Sequence, residues 1–199
     1  MIMLDKIRYI THPQVLIDPE LDVRKWSLSD LGRSRMALLA ASGALTGTTT
    51  IISSAETKAR ETAAPLAEAL GCDIILREDM HENDRSATGY LPSHAFETAA
   101  DEFFAHPTIS YHGWETARAA QSRIVAAFFD SLRSATDGDI LFVGHGAVGT
   151  LLYCHLANLP ISRIHDQPPG GGSFFELTYA NQTPISGWRT IEALASQTR

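Results

Sequence analysis

The chain has 199 residues, of which 44% are hydrophobic and 20% are charged, and its formal net charge is −7. This composition is typical of a globular protein and excludes collagen-like, low-complexity disordered and disulfide-scaffold chains. Because the chain is acidic and has no run of Lys and Arg, we expect no nucleic-acid partner. The length predicts one domain over residues 1–199, with a core large enough to fold without disulfide or metal support.

Two cysteines, Cys72 and Cys154, lie far apart in the sequence and match no metal-binding spacing. They are predicted to be free thiols in a reducing compartment. Charged residues interrupt positions 1–6 before an apolar signal segment forms. The most apolar later stretch, 140–159, contains histidines and glycines, which predicts a strand and a helix rather than a membrane span. We therefore expect a cytoplasmic protein without membrane contacts.

In the first half of the chain, predicted strands alternate with predicted helices. β-branched and aromatic residues favour the strands, and apolar residues at helical spacing favour the helices. Ser29 is the predicted N-cap of the first helix, and Gly43 is its predicted end. In chain order, we predict a strand over 6–11, a helix over about 28–42, a strand over 48–53, a helix over 55–70 and a strand over 73–76.

The segment after the third strand is too long for one crossover helix. It contains a loop over 82–92, a helix capped by Ser93 and a long helix over about 114–134, and we interpret residues 82–135 as a helical cap inserted beside the sheet. An aromatic stripe on the first helix indicates packing rather than a ligand site: Phe96, Phe103 and Phe104. The last predicted elements are a turn at Asp137-Gly138, a strand over 139–144, a helix over about 147–158, and strands over 173–179 and 188–193.

Strands that alternate with helices predict an α/β fold with a mainly parallel sheet covered on both faces. In such sheets, ligands bind at the carboxyl ends of the strands. Four chemically active side chains follow four of the predicted strands: His12, Lys58, Glu82 and His145. Since the ends of parallel strands meet at one edge, these side chains predict a functional site there.

Five segments carry a resemblance to a known family, in this order: IRYITHPQ, LSDLGR, SSAETKARETAAPLAEALG, the HEN around Glu82, and LFVGHGAVGTLL. The sequence resembles the histidine phosphatase superfamily, also called phosphoglycerate mutase-like, in which one strand runs into Arg-His-Gly and a later strand ends in His-Gly. The resemblance implies a three-layer αβα fold. It also implies phosphoryl transfer from a small phosphate ester through a phosphohistidine, with no metal ion or other cofactor.

The resemblance implies a role for each matching residue. His12 is the expected nucleophile, and an ordinary imidazole pKa of about 6.5 leaves it largely neutral at pH 7. His145 is expected to donate to the phosphate from the other side. Glu82 is expected to protonate the leaving oxygen and then to activate water. Gly146 opens the following helix, where backbone N–H groups bind anions.

Two of the motifs depart from the family pattern. Thr11 stands where the family has Arg before the nucleophile, and Pro13 stands where it has Gly. Thr11 can offer the phosphate one hydroxyl but no charge. Lys58 occupies the position of the phosphate-binding Arg and keeps the charge without the bidentate guanidinium. Arg60 is a poor substitute for it, because two residues along a helix is a rotation of about 200°.

Arg85 is the candidate that we expect to supply the missing cation, because it follows Glu82 in a loop beside the predicted site. The alternative is a surface arginine paired with Asp84 or Asp79. Loss of one preorganised donor typically costs about 2.7–4 kcal/mol of transition-state stabilisation. The sequence therefore predicts a phosphomonoester hydrolase and leaves open a phosphate-ester-binding or regulatory pseudoenzyme on the same fold.

Other functions have less support. No Gly-x-Gly-x-x-Gly follows a strand, which disfavours a dinucleotide-binding domain, and no third ligand accompanies His12 and His145 for a metal ion. A mutase must bind a doubly anionic sugar acid. Thr11 and Lys58 stand where the family has arginines, and this loss of cationic groups argues against a mutase. The run 165–172 is either a turn or part of a lid. The cap has few basic residues, which favours a substrate that is not strongly anionic beyond its phosphate, and the oligomeric state stays open.

Overall fold

A computed structural model describes residues 6–134 and 138–196. Positions 1–5, the predicted cap boundary at 135 and the first residue of the Asp137-Gly138 turn lie outside these ranges. The strands are β1 (Ile7–Thr11), β2 (Thr48–Ser54), β3 (Ile74–Arg77), β4 (Asp139–Gly144), β5 (Ser173–Leu177) and β6 (Arg189–Thr190). They form a mixed sheet in the order β3-β2-β4-β1-β5-β6. β1 to β4 run parallel, whereas β5 is antiparallel to β1 and to β6.

Helices cover both faces of the sheet. They are α1 (Asp30–Ala41), α2 (Thr57–Leu70), α3 (Ser93–Ala105), α4 (Ala117–Ser134), α5 (Gly146–Leu156) and α6 (Ile191–Ala195). One core cluster joins the sheet to α1, α2 and α6, and a second joins its other face to α4 and α5, with α3 packed beside them. The predicted three-layer α/β fold with a mainly parallel sheet is confirmed.

Strand β1 illustrates how the sequence builds both cores, since successive side chains of a strand point to opposite faces. Tyr9 belongs to the cluster with α4 and α5 and stacks on Phe175, with ring centroids 5.4 Å apart. Ile10 belongs to the opposite cluster, with Met36 and Leu39 of α1. A strand that is buried on both faces lies at the centre of the sheet, and its carboxyl end is therefore enclosed by neighbouring elements.

The segment between β3 and β4 divides into two parts. Helix α4 belongs to the layer on the sheet, where Phe128 contacts Phe142 with ring centroids 4.7 Å apart. The loop before α3 and α3 itself contribute Arg85, Phe96 and Phe104 to the wall of a cavity at the strand ends. None of the helices in the described residues is long and apolar enough to cross a membrane.

Local capping explains where the observed boundaries agree with the predicted ones and where they differ. The Ser29 cap is confirmed, because its hydroxyl accepts the N–H of Gly32. Ser93 is the first residue of α3 rather than its cap, and Pro92 precedes it without a side-chain capping bond.

The predicted strand over 188–193 is wrong for most of its length. Thr190 ends β6 and accepts the N–H of Ala193 with its hydroxyl, which starts helix α6. Ile191 and Leu194 are three residues apart and both buried, so their spacing is helical.

Candidate active site

The parallel strands β1 and β4 bring the two candidate histidines together. The N–H of His12 donates to the carbonyl of Gly144 at 3.0 Å, which continues the pairing of the two strands past their ends. The rings of His12 and His145 then lie 5.3 Å apart between centroids, at an interplanar angle of 70°. A cavity of about 400 Å³ opens beside them. Its walls include five of the predicted site residues: His12, Lys58, Glu82, Arg85 and Gly146.

His12 is held as one tautomer. Its Nδ1 lies 2.9 Å from the carbonyl oxygen of Pro13, and a carbonyl can only accept, so Nδ1 carries the hydrogen. Nε2 is then the unprotonated nitrogen. Burial, and next the positive charge of Lys58, lower the pKa of His12 to about 4. The ring is therefore neutral at pH 7 and carries a lone pair on Nε2.

The glycine run before β5 supports the backbone of His12. Gly171 has φ +63°, and a Cβ at this position would lie 2.4 Å from the carbonyl oxygen of His12. That carbonyl accepts the N–H of Gly172 at 3.0 Å. Arg35 donates to the carbonyls of Gly171 and Gly172. This part of the run 165–172 is thus a tight support for the β1 end, and only glycine fits where the two backbones meet.

His145 has no exposed surface. Its Nε2 lies 2.8 Å from the hydroxyl of Ser54, which already accepts the N–H of Glu56 and so has its own hydrogen free to donate. In the tautomer in which Ser54 donates to Nε2, Nδ1 carries the ring hydrogen. Within the described residues Nδ1 has no hydrogen-bond partner. Burial, and next the charge of Lys58, lower the pKa of His145 well below its ordinary value, so the ring is neutral. A buried donor without an acceptor is costly, and it points to a ligand acceptor.

Glu82 occupies the amino end of α5. Its carboxylate accepts the N–H of Ala147 at 3.2 Å and of Val148 at 3.0 Å. Burial raises the pKa of Glu82, and the hydrogen bond from Val148 opposes that rise. Two backbone N–H groups in the first turn of α5 therefore donate to Glu82. Gly146, the first residue of the helix, lines the cavity.

Lys58 is buried, whereas Arg60 is exposed, as the helical rotation predicts. The ammonium group of Lys58 donates to the carboxylate of Glu56 and, at 2.9 Å, to the carbonyl of Val23. Glu56 also accepts the N–H of Glu82 at 3.0 Å and lies 3.8 Å from Nε2 of His145. Sequence reasoning missed Glu56, and the available signal was an acidic residue two positions before a cationic site residue.

Arg85 lies inside the site rather than on the surface. Its guanidinium lies 4.7 Å from the ring centre of Phe96. Its Nε is buried and has no hydrogen-bond partner in the described part of the chain. The alternative acidic partners are engaged elsewhere: Asp79 with Arg77, and Asp84 with the N–H of Ser86. The negative charges of Glu82 and Glu56 act on Arg85 instead.

Thr11 does not line the cavity itself, but it contacts Gln167, which does. It has no exposed surface, and its hydroxyl accepts the N–H of Ser173 at 3.0 Å. The hydroxyl hydrogen is donated to Oε1 of Gln167 at 2.6 Å. Gln167 lines the cavity, and its Nε2 lies 2.5 Å from the position that a Cβ on Gly146 would take. Sequence reasoning placed Gln167 only in the run 165–172, as a turn or part of a lid, and did not include it among the site residues.

The described residues contain no group of three or more His, Cys, Asp and Glu side chains placed to hold a metal ion. The lysine and arginines that line the cavity within the described residues are Lys58, Arg85 and Arg163, and the carboxyl groups of Glu56 and Glu82 lie near the first two. His12 and Arg85 line this cavity, whereas His145 has no exposed surface and lies behind His12. A neutral imidazole and an arginine with an unpartnered Nε around one cavity make a site suited to a tetrahedral oxyanion.

The model of the histidine phosphatase superfamily, branch 1, matches residues 18–189 of the chain. The match begins after His12 and includes the other predicted site residues from Lys58 onwards. Among curated protein sequences, none matches significantly.

Solved structures share the fold. Phosphoserine phosphatase from Entamoeba histolytica, in complex with 3-phosphoglyceric acid, has a TM-score of 0.76 at 15% identity, covering 95% of this chain and 98% of that one. Mycobacterial glucosyl-3-phosphoglycerate phosphatase, in complex with VO3, has a TM-score of 0.72 at 20% identity, covering 93% and 96%. YhfR of Bacillus stearothermophilus has a TM-score of 0.74 at 19% identity, covering 90% and 93%.

Proposed function

The chain belongs to the histidine phosphatase superfamily, and on that premise we propose that it is a phosphomonoester hydrolase that acts through phosphorylated His12. The substrate is a small phosphate ester, and the reaction uses protein side chains without a metal ion or cofactor. The phosphatase names of the structural neighbours support the class of reaction.

The proposed reaction has two steps. The lone pair on Nε2 of His12 attacks phosphorus, the bond from phosphorus to the ester oxygen breaks, and Glu82 gives its proton to the departing oxygen. Glu82, now a carboxylate, takes a proton from water, the water oxygen attacks phosphorus, and the bond from phosphorus to Nε2 of His12 breaks. The products are the alcohol and inorganic phosphate, and both His12 and Glu82 return to their starting states.

The remaining groups bind the phosphoryl oxygens in this proposal. His145 donates its Nδ1–H, which otherwise has no partner among the described residues. Arg85 supplies a guanidinium, and Lys58 supplies a second positive charge. Gln167 donates from Nε2, and Thr11 acts through it. The raised pKa of Glu82 suits a carboxyl group that must give up a proton at neutral pH.

The observation that carries the proposal is the state of His12. Its Nδ1 is held by Pro13, which leaves Nε2 as the available nitrogen, and the ring lines a cavity that also contains Lys58 and Arg85. A histidine with a lowered pKa in such a cavity is neutral, oriented and close to two cations. These are the requirements for attack on an anionic phosphorus centre.

We expect His12→Ala to lower hydrolysis of para-nitrophenyl phosphate by on the order of 10⁴-fold or more, to the background rate. His155→Ala, an exposed histidine on α5, is the matched control and should keep full activity. Wild type treated with a labelled phosphate ester should carry acid-labile phosphate, and the His12 variant should not. Equal rates for wild type and His12→Ala would reject the proposal.

One observation favours a second candidate, a protein that binds phosphate esters without turnover. The carboxylate of Glu56 pairs with Lys58 and offsets the charge that a phosphate would meet. A pseudoenzyme predicts binding of inorganic phosphate by calorimetry, no hydrolysis above background and no acid-labile label. Detection of phosphohistidine would exclude this candidate.

A further inference from the structure

Apolar side chains form a large part of the cavity wall. The side chains that form this apolar wall are Val15, Ile17, Trp26, Phe96, Ala100 and Phe104. The total volume of about 400 Å³ is at the lower end of the range for small-molecule sites. Once a phosphoryl group occupies the end beside His12, the alcohol part of an ester has this apolar wall as its surroundings.

The cations of the cavity are unequally available. Lys58, Arg85 and Arg163 are the lysine and arginines that line it within the described residues. Lys58 is paired with Glu56, beside the phosphoryl position. Arg85 adjoins the same position, with the charges of Glu82 and Glu56 around it. If both residues bind the phosphoryl group, neither is left to bind a second anionic group of the substrate.

Arg163 lines the same cavity, and carboxylates already neutralise it. Its guanidinium donates to Glu97 and to Asp101, both on α3. Asp166 lies 4.0 Å from its Nε and itself lines the cavity. A substrate carboxylate here would meet acidic neighbours and would have to displace an existing ion pair. The Arg163 side chain is 26% exposed, whereas those of Glu97 and Asp101 are 56% and 68% exposed. Like charges brought together there cost binding energy, and solvent screens part of that cost.

Resting on the proposed phosphatase function, we infer that the site takes phosphate monoesters of uncharged, apolar alcohols, and that the pairing of Arg163 with Glu97 and Asp101 rejects carboxylated esters. The apolar wall supplies the attraction, since burial of an aryl or branched alkyl group removes it from water. The acidic partners of Arg163 supply the rejection.

Three probes separate the two parts of this inference: benzyl phosphate, glycerol 3-phosphate and 3-phosphoglycerate. Glycerol 3-phosphate and 3-phosphoglycerate differ at one carbon. This carbon is a hydroxymethyl group in glycerol 3-phosphate and a carboxylate in 3-phosphoglycerate. For wild type, we expect kcat/KM for benzyl phosphate to exceed that for glycerol 3-phosphate by about tenfold. We expect glycerol 3-phosphate to exceed 3-phosphoglycerate by at least roughly tenfold.

A double variant, Glu97→Gln with Asp101→Asn, should free Arg163 and close the gap between glycerol 3-phosphate and 3-phosphoglycerate. It should leave kcat/KM for benzyl phosphate within about twofold of wild type. The matched control is Glu102→Gln with Asp130→Asn, which removes the same charge from positions that pair with His106 and Arg133 instead. The control should keep the wild-type order of the three esters.

Two outcomes would overturn the inference: 3-phosphoglycerate as the best wild-type substrate, or an unchanged ratio of the two glycerol-derived esters in the double variant. Either leaves the proposed phosphatase function intact. If wild type hydrolyses none of the esters, the proposed function fails, and dissociation constants from calorimetry then test the same order of preference. Equal affinity for all three would overturn the inference in that case.

Discussion

The two imidazoles of the site stand at strand ends that differ in how they are enclosed. At the end of β1, His12 is tied at Nδ1 to Pro13 and lines the cavity. At the end of β4, His145 has no exposed surface and contacts Ser54 through Nε2. Its Nδ1 has no partner in the described ranges. The first ring therefore offers a lone pair on Nε2 to the cavity, whereas the unpartnered nitrogen of the second ring is buried.

The comparison also shows where a departure from the family pattern matters. The β4 end keeps the Gly-His-Gly pattern, and the β1 end has Thr11 and Pro13 in place of Arg and Gly. Pro13 orients His12 through its carbonyl, which every residue type has. Thr11 orients Gln167 rather than lining the cavity itself. The departure at this end is therefore a loss of charge, while the His12 ring is still held by a backbone carbonyl at Nδ1.

Apart from the loss of His12, the loss of the His145 ring is expected to lower activity most. We expect His145→Ala to lower kcat for an aryl phosphate by about 10²–10³-fold, because one preorganised donor is worth about 2.7–4 kcal/mol in the transition state. KM should change much less. Steady-state kinetics with thermal unfolding of the same variant measure both effects.

His145→Gln is the companion variant, since its amide can still donate and the buried site remains filled with a polar group. It should recover part of kcat, and slow formation of phosphohistidine should persist in both variants. A kcat for His145→Ala within threefold of wild type, in a folded protein, would show that the ring is only structural.

The pH dependence of stability tests the buried, neutral state of His12. Its pKa is about 4 in the folded chain and about 6.5 in an unfolded one. Between these values the unfolded chain binds more protons, so stability is full above pH 6.5 and falls as the pH falls towards 4. From pH 7 to 4.5, His12→Asn should lose less stability than wild type by roughly 2 kcal/mol.

Urea unfolding at the two pH values measures this difference. His145→Asn should reduce the loss as well, since the pKa of His145 is also lowered. Equal losses in wild type and His12→Asn would mean that His12 titrates in the folded protein as it does in water, and that neither burial nor the charge of Lys58 lowers its pKa.

Much of the site could be predicted because its parts depend on local patterns. Buried apolar runs indicate the strands, and parallel strands place the residues after them at one edge. That reasoning brings His12, Lys58, Glu82 and His145 together from the sequence, and the helical rotation correctly turns Arg60 away. The strand predicted over 188–193 was wrong because a capping threonine outweighed its apolar residues.

The rest depended on contacts that local patterns do not encode. Gln167 meets Thr11 across 156 positions of sequence, and no turn or helix rule relates the two. Glu56 stands at the N-cap position of α2 without a capping bond, so its carboxylate is free to turn towards Lys58. Sequence rules describe an N-cap that binds its own helix, and they give no account of one that binds a site residue.

The smallest expected effect concerns the amide that Thr11 orients. We expect Gln167→Leu to lower kcat/KM for an aryl phosphate by about tenfold, the typical range for one neutral hydrogen bond. The inhibition constant of inorganic phosphate should rise by a similar factor, because the same donor would bind the product. Steady-state inhibition by phosphate is the measurement that a purely structural role would not move.

Thr11→Val removes the hydroxyl that holds the amide and should act through the same donor. It should therefore reproduce most of the Gln167→Leu effect, and the double variant should be no worse than the poorer single variant, since the two residues form one unit. Gln182→Leu, an exposed amide, is the control. Additive losses in the double variant would show that Thr11 contacts the phosphate by a route of its own, and that the β1 end keeps the donor position of the family with a hydroxyl in place of a guanidinium.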